Sequence, residues 1–419
     1  MSEVLPKKRR DEVWDFRSAD TKQHVHCFHT YPAMMIPQVA GQILDDFGNG
    51  ARLLFDPYCG TGTSLVEANI RGINAIGTDI NPLARLIAKV KTTPIDIETL
   101  DTHVKELTEL CISINFEKQS IEYELPSFNN IDYWFKKDVQ IKLAMIKKFI
   151  DGIKDRDVQD FFKVAFSETI REVSLTRNSE FKLYRMKEEQ IEKFHPDVFA
   201  VMEEKILRNR NGMEEYLRMK NNDSSTRVYD FNTVEGVPSD IIEPESVDIV
   251  VTSPPYGDSR TTVAYGQFSR LANQWLGFEQ ANQVDKKSMG GIRTKKYEKF
   301  GFEPLDSVLS SIANADDKRV LDVVSFYIDY RKSIDNVSRL IRKGGIVAYA
   351  VGNRRVKGNE IPTDEITRYF FERNGFEHME TIVRAIPNKR MPSKNSPSNV
   401  VGATDSTMKY EYIVILKKK

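Results

Sequence analysis

Residues 53–63 read Leu-Leu-Phe-Asp-Pro-Tyr-Cys-Gly-Thr-Gly-Thr. The apolar run Leu53 to Phe55 ends at Asp56 and a turn-prone stretch through Gly62, and helical periodicity follows from Thr63 to Arg71. Outward from there, Ile73 to Asp79 reads as a second strand ending in an acid, and Leu83 to Lys91 as a helix behind Asn81-Pro82, where proline suits a first turn. Strand, glycine turn, helix, strand, helix is the opening of an α/β chain with a mostly parallel sheet covered by helices. The alternation lapses from about Leu100 to Asn222, where charged helical patterns such as Val139 to Ile153 and Glu188 to Leu207 suggest an inserted helical region. It resumes with Arg227 to Phe231 and Val247 to Val251. A polar insertion, Asp285 to Asp317, precedes a long helix over Val320 to Arg342, which Gly344-Gly345 is expected to stop. Then come a strand at Ile346 to Val351, a helix over Thr363 to Asn374 closed by Gly375, and two strands, Glu380 to Ile386 and Tyr410 to Leu416, expected as an antiparallel pair at the sheet edge.

Composition bounds the rest. The chain has 419 residues, enough for two or three domains of about 150. With 40% hydrophobic and 29% charged residues and a mean hydropathy of −0.45, it reads as a soluble globular protein. No apolar stretch approaches the roughly 20 residues of a membrane span, so no membrane partner is expected. Sixty-one basic and 61 acidic residues cancel, which excludes a polycation that coats nucleic acid indiscriminately and leaves local patches open. Three scattered cysteines, Cys27, Cys59 and Cys111, fit neither a disulfide framework nor paired zinc ligands; a reducing cytoplasm and no metal are the expectations. Met1 to Phe16 is basic at Lys7 to Arg10 without an apolar run behind it, so residues 1–23 read as a mobile tail.

Two stretches carry chemistry. The Asp56–Thr63 turn lets the backbone approach a nucleotide-like ligand, and Asp79 falls where an acid can bind ribose hydroxyls. A carboxylate at Asp56 repels phosphates but pairs with an ammonium, which points to S-adenosylmethionine, a sulfonium with no phosphate. The second stretch is Ser253-Pro254-Pro255-Tyr256 directly behind a buried strand. Two prolines lack N–H donors and stiffen the loop, leaving its carbonyl oxygens free to accept hydrogen bonds. Acceptors fixed around an exocyclic amine favour its lone pair turning towards a methyl donor. Tyr256 offers a face on which an extruded base can stack.

These blocks, in this order, resemble the amino-methyltransferases of DNA that act on cytosine N4 or adenine N6 in bacterial restriction–modification systems. The resemblance implies a Rossmann-like methyltransferase fold, with a seven-stranded, mostly parallel sheet and a terminal antiparallel pair. His29-Thr30-Tyr31-Pro32-Ala33 is similar to the family's leading cofactor motif, which implicates His29, Tyr31 and Pro32. Asp56 to Thr63 is similar to the glycine loop, implicating Tyr58, Gly60, Thr61 and Gly62 beside Asp56. Gly77 to Pro82 is similar to the ribose block that contains Asp79, and Asp230 is the positional candidate for an adenine-contacting acid. Ser253 to Tyr256 looks like the catalytic tetrapeptide, whose leading serine favours cytosine N4. The tail, in Ile386 to Pro392 and Met408 to Leu416, looks similar too. C5-methylation is disfavoured, because no cysteine here follows a proline.

The resemblance divides the chain into a catalytic domain at 24–99 and 226–419 and a target-recognition region at 100–225. It implies a site-specific enzyme acting on double-stranded DNA by base flipping and direct displacement, with a cognate restriction endonuclease as the companion such a system includes. Arg260, Lys295, Lys296, Lys389 and Arg390 are the candidate DNA contacts, the lysine pair standing in a basic stretch interleaved with Tyr297. Adenine N6 is the nearest alternative and RNA the next. A catalytically inactive DNA-binding module is the alternative of another class.

Overall fold

A computed structural model describes residues 8–116, 122–177, 181–257, 263–386, 394–395, 405–406 and 408–419. The strands of its main sheet are β1 (Lys8–Arg10), β2 (Leu53–Asp56), β3 (Asn74–Thr78), β4 (Thr226–Tyr229), β5 (Val247–Thr252), β6 (Ile341–Val351), β7 (Phe376–Ala385) and β8 (Tyr410–Lys418). They form one sheet in the order β1-β7-β8-β6-β5-β2-β3-β4. Strand β8 runs antiparallel to both β6 and β7, and the remaining pairings are parallel. The fold is Rossmann-like, with eight strands where seven are expected. The extra one is β1, from the segment read as a tail: it pairs with β7, and the Trp14 and Asp15 side chains behind it are buried. Because β8 inserts between β6 and β7, the closing antiparallel pair is one strand in from the edge, and β1 covers the edge that β7 would otherwise expose.

The sheet is buried on both faces, and its residues alternate between two cores with period two. From β5 and β6, Val250, Val347, Tyr349 and Val351 face one core, closed by α9 (Glu303–Ala315), α10 (Asp317–Ser338) and α11 (Thr363–Glu372). Ile249, Val251, Ala348 and Ala350 face the other, closed by α1 (Pro37–Phe47) and α2 (Thr63–Ile70). The helical insertion, with α4 (Ile97–Phe116), α5 (Lys137–Gly152), α6 (Arg156–Glu172) and α7 (Val198–Met219), shares a third core with α3 (Pro82–Thr92) and α8 (Tyr265–Trp275).

Local chemistry overrides several expected boundaries. The pattern over Glu188 to Leu207 is two helices, because Pro196 interrupts it and the Asp197 carboxylate caps α7 by accepting from Phe199 N at 3.2 Å. Helix α10 ends at Ser338, and Gly344-Gly345 lies inside β6 rather than after the helix, with Gly344 at φ +79. The polar stretch 285–317 contains α9, whose Leu305, Leu309 and Ile312 are buried. Behind the Ser253–Tyr256 loop lies α8, whose Phe268, Leu271 and Trp275 are buried.

Candidate functional site

Strands β2 and β5 are neighbours and parallel, with Phe55 opposite Val250, so their carboxyl ends emerge side by side. That is where the order of the sheet turns back, and where open α/β sheets hold ligands. A clasp joins the two ends: Thr252, the last residue of β5, donates its hydroxyl to Asp56 Oδ1 at 2.5 Å. The same oxygen accepts Tyr58 N at 3.0 Å, and Oδ2 accepts the Ser64 hydroxyl from the first turn of α2. A carboxylate has about four acceptor positions, so about one remains on Oδ2. Burial pushes the Asp56 carboxyl up to about 6, against the lowering effect of these hydrogen bonds. The turn between them depends on glycine: Gly62 has φ +78, and a Cβ there would meet Ala88 of α3 at 3.0 Å.

Asp79 stands just beyond β3. Its Oδ1 accepts Asn81 N at 2.7 Å and its Oδ2 accepts Gly60 N at 3.1 Å, leaving one acceptor position on each oxygen for a neighbouring diol. Burial raises its pKa, and those backbone N–H groups and Arg85 oppose the rise. Asn81 donates to the Tyr31 hydroxyl at 2.7 Å and to Ser269 at 3.0 Å, and the Tyr31 ring stacks on Tyr265 with centroids 5.9 Å apart. The insertion holds the segment leading to Tyr31. Glu168 of α6 accepts Thr30 N at 3.1 Å and pairs with Arg208 of α7, which donates to Phe28 O at 2.9 Å.

A single cleft gathers these groups: Tyr31, Pro32, Asp56, Tyr58, Gly60, Thr61 and Asp79 line it together with Ser253 and Pro255. Gly62, Pro254 and Tyr256 do not line it. His29 is not at the cleft wall. Its ring is buried against Tyr31 and Phe268, its nitrogens have no hydrogen-bond partner among the described residues, and burial lowers its pKa to about 4. Asp230 is exposed and borders an adjoining hollow, while Phe231, Asn232 and Thr233, positioned by Thr78 donating to Phe231 O at 2.6 Å, reach the cleft itself. Asn81, Tyr265, Met289 and Lys287 also line it. None of the four was among the candidate site residues, although Asn81 stands inside the Asp79 block, Tyr265 follows the Ser253–Tyr256 loop and Lys287 belongs to the basic stretch.

Burial pushes the Cys59 and Cys27 thiols up and the Cys111 thiol up to about 12, which keeps all three from acting as thiolate nucleophiles. Among the described residues His24, His26 and Glu67 form a buried group, but Arg71 holds Glu67 at 2.7 Å, and burial, with a smaller contribution from Lys91, lowers the pKa of both histidines. Lys295 and Lys296 are exposed, whereas Arg293 of the same basic stretch is paired with Asp322. Arg260, Lys389 and Arg390 lie outside the described residues. No helix among the described residues is long and apolar enough to cross a membrane.

No protein-family model matches the chain. The type II methyltransferase M.MvaI of Kocuria varians is 41% identical over 441 aligned residues, covering 99% of this chain and 96% of the relative. M.MjaII of Methanocaldococcus jannaschii, also a type II methyltransferase, is 34% identical over 122 residues, 24% of this chain and 23% of that protein. Among solved structures, the rRNA methyltransferase aviRa from Streptomyces viridochromogenes aligns over 98% of this chain and 94% of its own, at 11% identity and a TM-score of 0.35.

Proposed function

The chain belongs to the type II methyltransferases, the DNA-modifying enzymes of restriction–modification systems, and from that premise we propose that it methylates the N4 amine of cytosine in duplex DNA, with S-adenosylmethionine as donor. The observation that carries the reading is the shared cleft: Asp56, Gly60 and Asp79 stand on one side and Ser253 and Pro255 on the other, joined by the Thr252–Asp56 clasp. Two carboxylates within one cleft favour a cationic ligand over a phosphate. Bound there, S-adenosylmethionine would supply an electrophilic methyl group on a sulfonium sulfur. Asp56 has an acceptor position left for the ammonium, Asp79 has two for ribose hydroxyls, and Tyr31 and Phe231 supply apolar walls.

On the catalytic side, Ser253 and a backbone carbonyl of the diproline would accept the two hydrogens of the target amine, and the stiff diproline would hold them there without reorganisation. A base must leave the helix to reach this pocket, and Tyr256, next to the lining Pro255 but not on the cleft wall itself, would stack on it once it enters, offsetting part of the few kcal/mol lost on unstacking. The leading serine follows the cytosine-N4 pattern, and adenine N6 is the second reading. Exposed Lys295 and Lys296 would contact phosphates, and residues 100–225 would contribute target recognition on faces not used to hold the cofactor side. A cognate restriction endonuclease and a cytoplasmic location complete the proposal.

The test is to incubate the protein with methyl-labelled S-adenosylmethionine and either duplex DNA or RNA, digest the nucleic acid and identify the modified nucleoside. N4-methylcytidine in its deoxy form is expected. N6-methyladenine would overturn the choice of base, labelled RNA the choice of polymer, and DNA binding without label would favour the inactive binding module. Tyr256→Ala should reduce turnover while leaving cofactor affinity near normal. An equal loss of cofactor binding would contradict the division of the cleft.

A further inference from the structure

Glu411 lies on β8, more than 150 residues beyond the catalytic loop, yet its side chain reaches that loop. It stands opposite Arg384 of β7, and the two side chains form an ion pair 14% and 5% exposed. Arg384 is fixed in turn by donating Nε to Trp14 O at 2.7 Å, so the N-terminal segment buttresses the pair. Glu411 Oε1 accepts the Tyr256 hydroxyl at 2.5 Å, and Tyr256 Oη accepts the Ser253 hydroxyl at 3.2 Å.

The polarity of this chain follows from the chemistry of its ends. A carboxylate paired with a guanidinium only accepts, so the Tyr256 proton is committed to it. The tyrosine oxygen then offers Ser253 only lone pairs, and the serine proton turns to it. Ser253 Oγ is left facing the cleft with lone pairs alone.

We propose that Glu411 is a positioning residue which, through Tyr256, fixes Ser253 as a pure hydrogen-bond acceptor for the amine being methylated. The inference rests on the reading of the cleft as an amino-methylating site and adds a residue to it. In this chain a serine thereby does what a carboxylate would do, and it does not donate to the ring nitrogen beside the amine.

Glu411→Gln tests the polarity directly. Arg384 only donates, so the amide oxygen of the variant turns to it and the amide nitrogen faces Tyr256. That reverses the chain and points the Ser253 proton into the cleft. Removing one oriented partner of a reacting group typically lowers kcat by about 10²-fold, and a loss of that order is expected here, with cofactor and DNA affinities unchanged. Tyr256→Phe keeps the ring but cuts the chain; a smaller kcat loss of about 10-fold is expected, and adding Glu411→Gln to it should cost nothing more. Activity of Glu411→Gln within about twofold of wild type overturns the proposal, as does the same loss in the presence and absence of the Tyr256 hydroxyl, which would mark Glu411 as merely structural. Should Glu411→Gln fail to fold, wild-type kcat in Tyr256→Phe overturns it instead. A wild-type protein that methylates no duplex DNA refutes the parent reading, whereas an active wild type with active variants refutes this inference alone.

Discussion

At the residue scale, Asp56 shows how one side chain serves stability and binding in opposite senses. Burial lifts its carboxyl from an ordinary 3.8 to about 6 in the folded protein. A group whose pKa is higher when folded contributes stability that is complete below its unfolded value and is lost as pH rises through the folded value. The loss spans roughly pH 4 to 6 and amounts to on the order of 3 kcal/mol. Thermal melting of the ligand-free protein and of Asp56→Asn from pH 4 to 8 should show the variant gaining stability relative to wild type across that window and then running parallel to it. A constant difference would mean the carboxyl is not held as a strained buried acid. S-adenosylmethionine affinity should move the other way, weakening as pH falls below about 6, because only the ionised form pairs with an ammonium.

At the scale of elements, the glycine turn between β2 and α2 is fixed by packing as much as by conformation. Gly62 combines a left-handed backbone with close approach to Ala88 of α3. Gly62→Ala should cost about 1–2 kcal/mol from the backbone alone, with an added penalty where Cβ meets α3. Urea denaturation measures the first quantity, and cofactor titration should show weaker binding in the same variant because Thr61 and Gly60 move with the turn. Unchanged stability would mean that α3 yields at no cost. The last strands make a similar point: β8 enters between β6 and β7, and this brings Glu411 within reach of Tyr256.

For the molecule as a whole, equal numbers of acidic and basic residues leave DNA affinity to local patches. Lys295→Ala and Lys296→Ala should each weaken duplex binding about equally for all sequences and reduce the slope of log Kobs against log salt by about 1, with the modified base unchanged. A salt slope unaltered in both variants would remove this stretch from the interface. The insertion is also part of the molecule's frame: α6 and α7 hold residues 28–30 through Glu168 and Arg208, so the segment leading to Tyr31 is positioned from the far side of a region more than 130 residues away in sequence.

What the amino-acid order determined alone is what local chemistry can encode: the strand–turn–helix around Asp56, the acid at Asp79, the stiff Ser253–Tyr256 loop and the parallel sheet that sets the strand ends side by side. These follow from hydrophobic period, proline and glycine geometry within a few residues. Boundaries failed where a short-range rule competed with packing, as when Gly344-Gly345 joined a strand instead of ending a helix, and when the N-terminal segment found an open sheet edge to pair with. His29 lies away from the cleft wall for a related reason, since nothing near it in sequence reveals that Phe268, far along the chain, will pack against its ring. Tertiary structure alone decided the Thr252–Asp56 clasp, the Tyr31–Tyr265 stack and the Ser253–Tyr256–Glu411 chain. Each joins groups from elements distant in sequence, and a hydrogen bond of a few ångströms is set by where whole strands and helices come to rest.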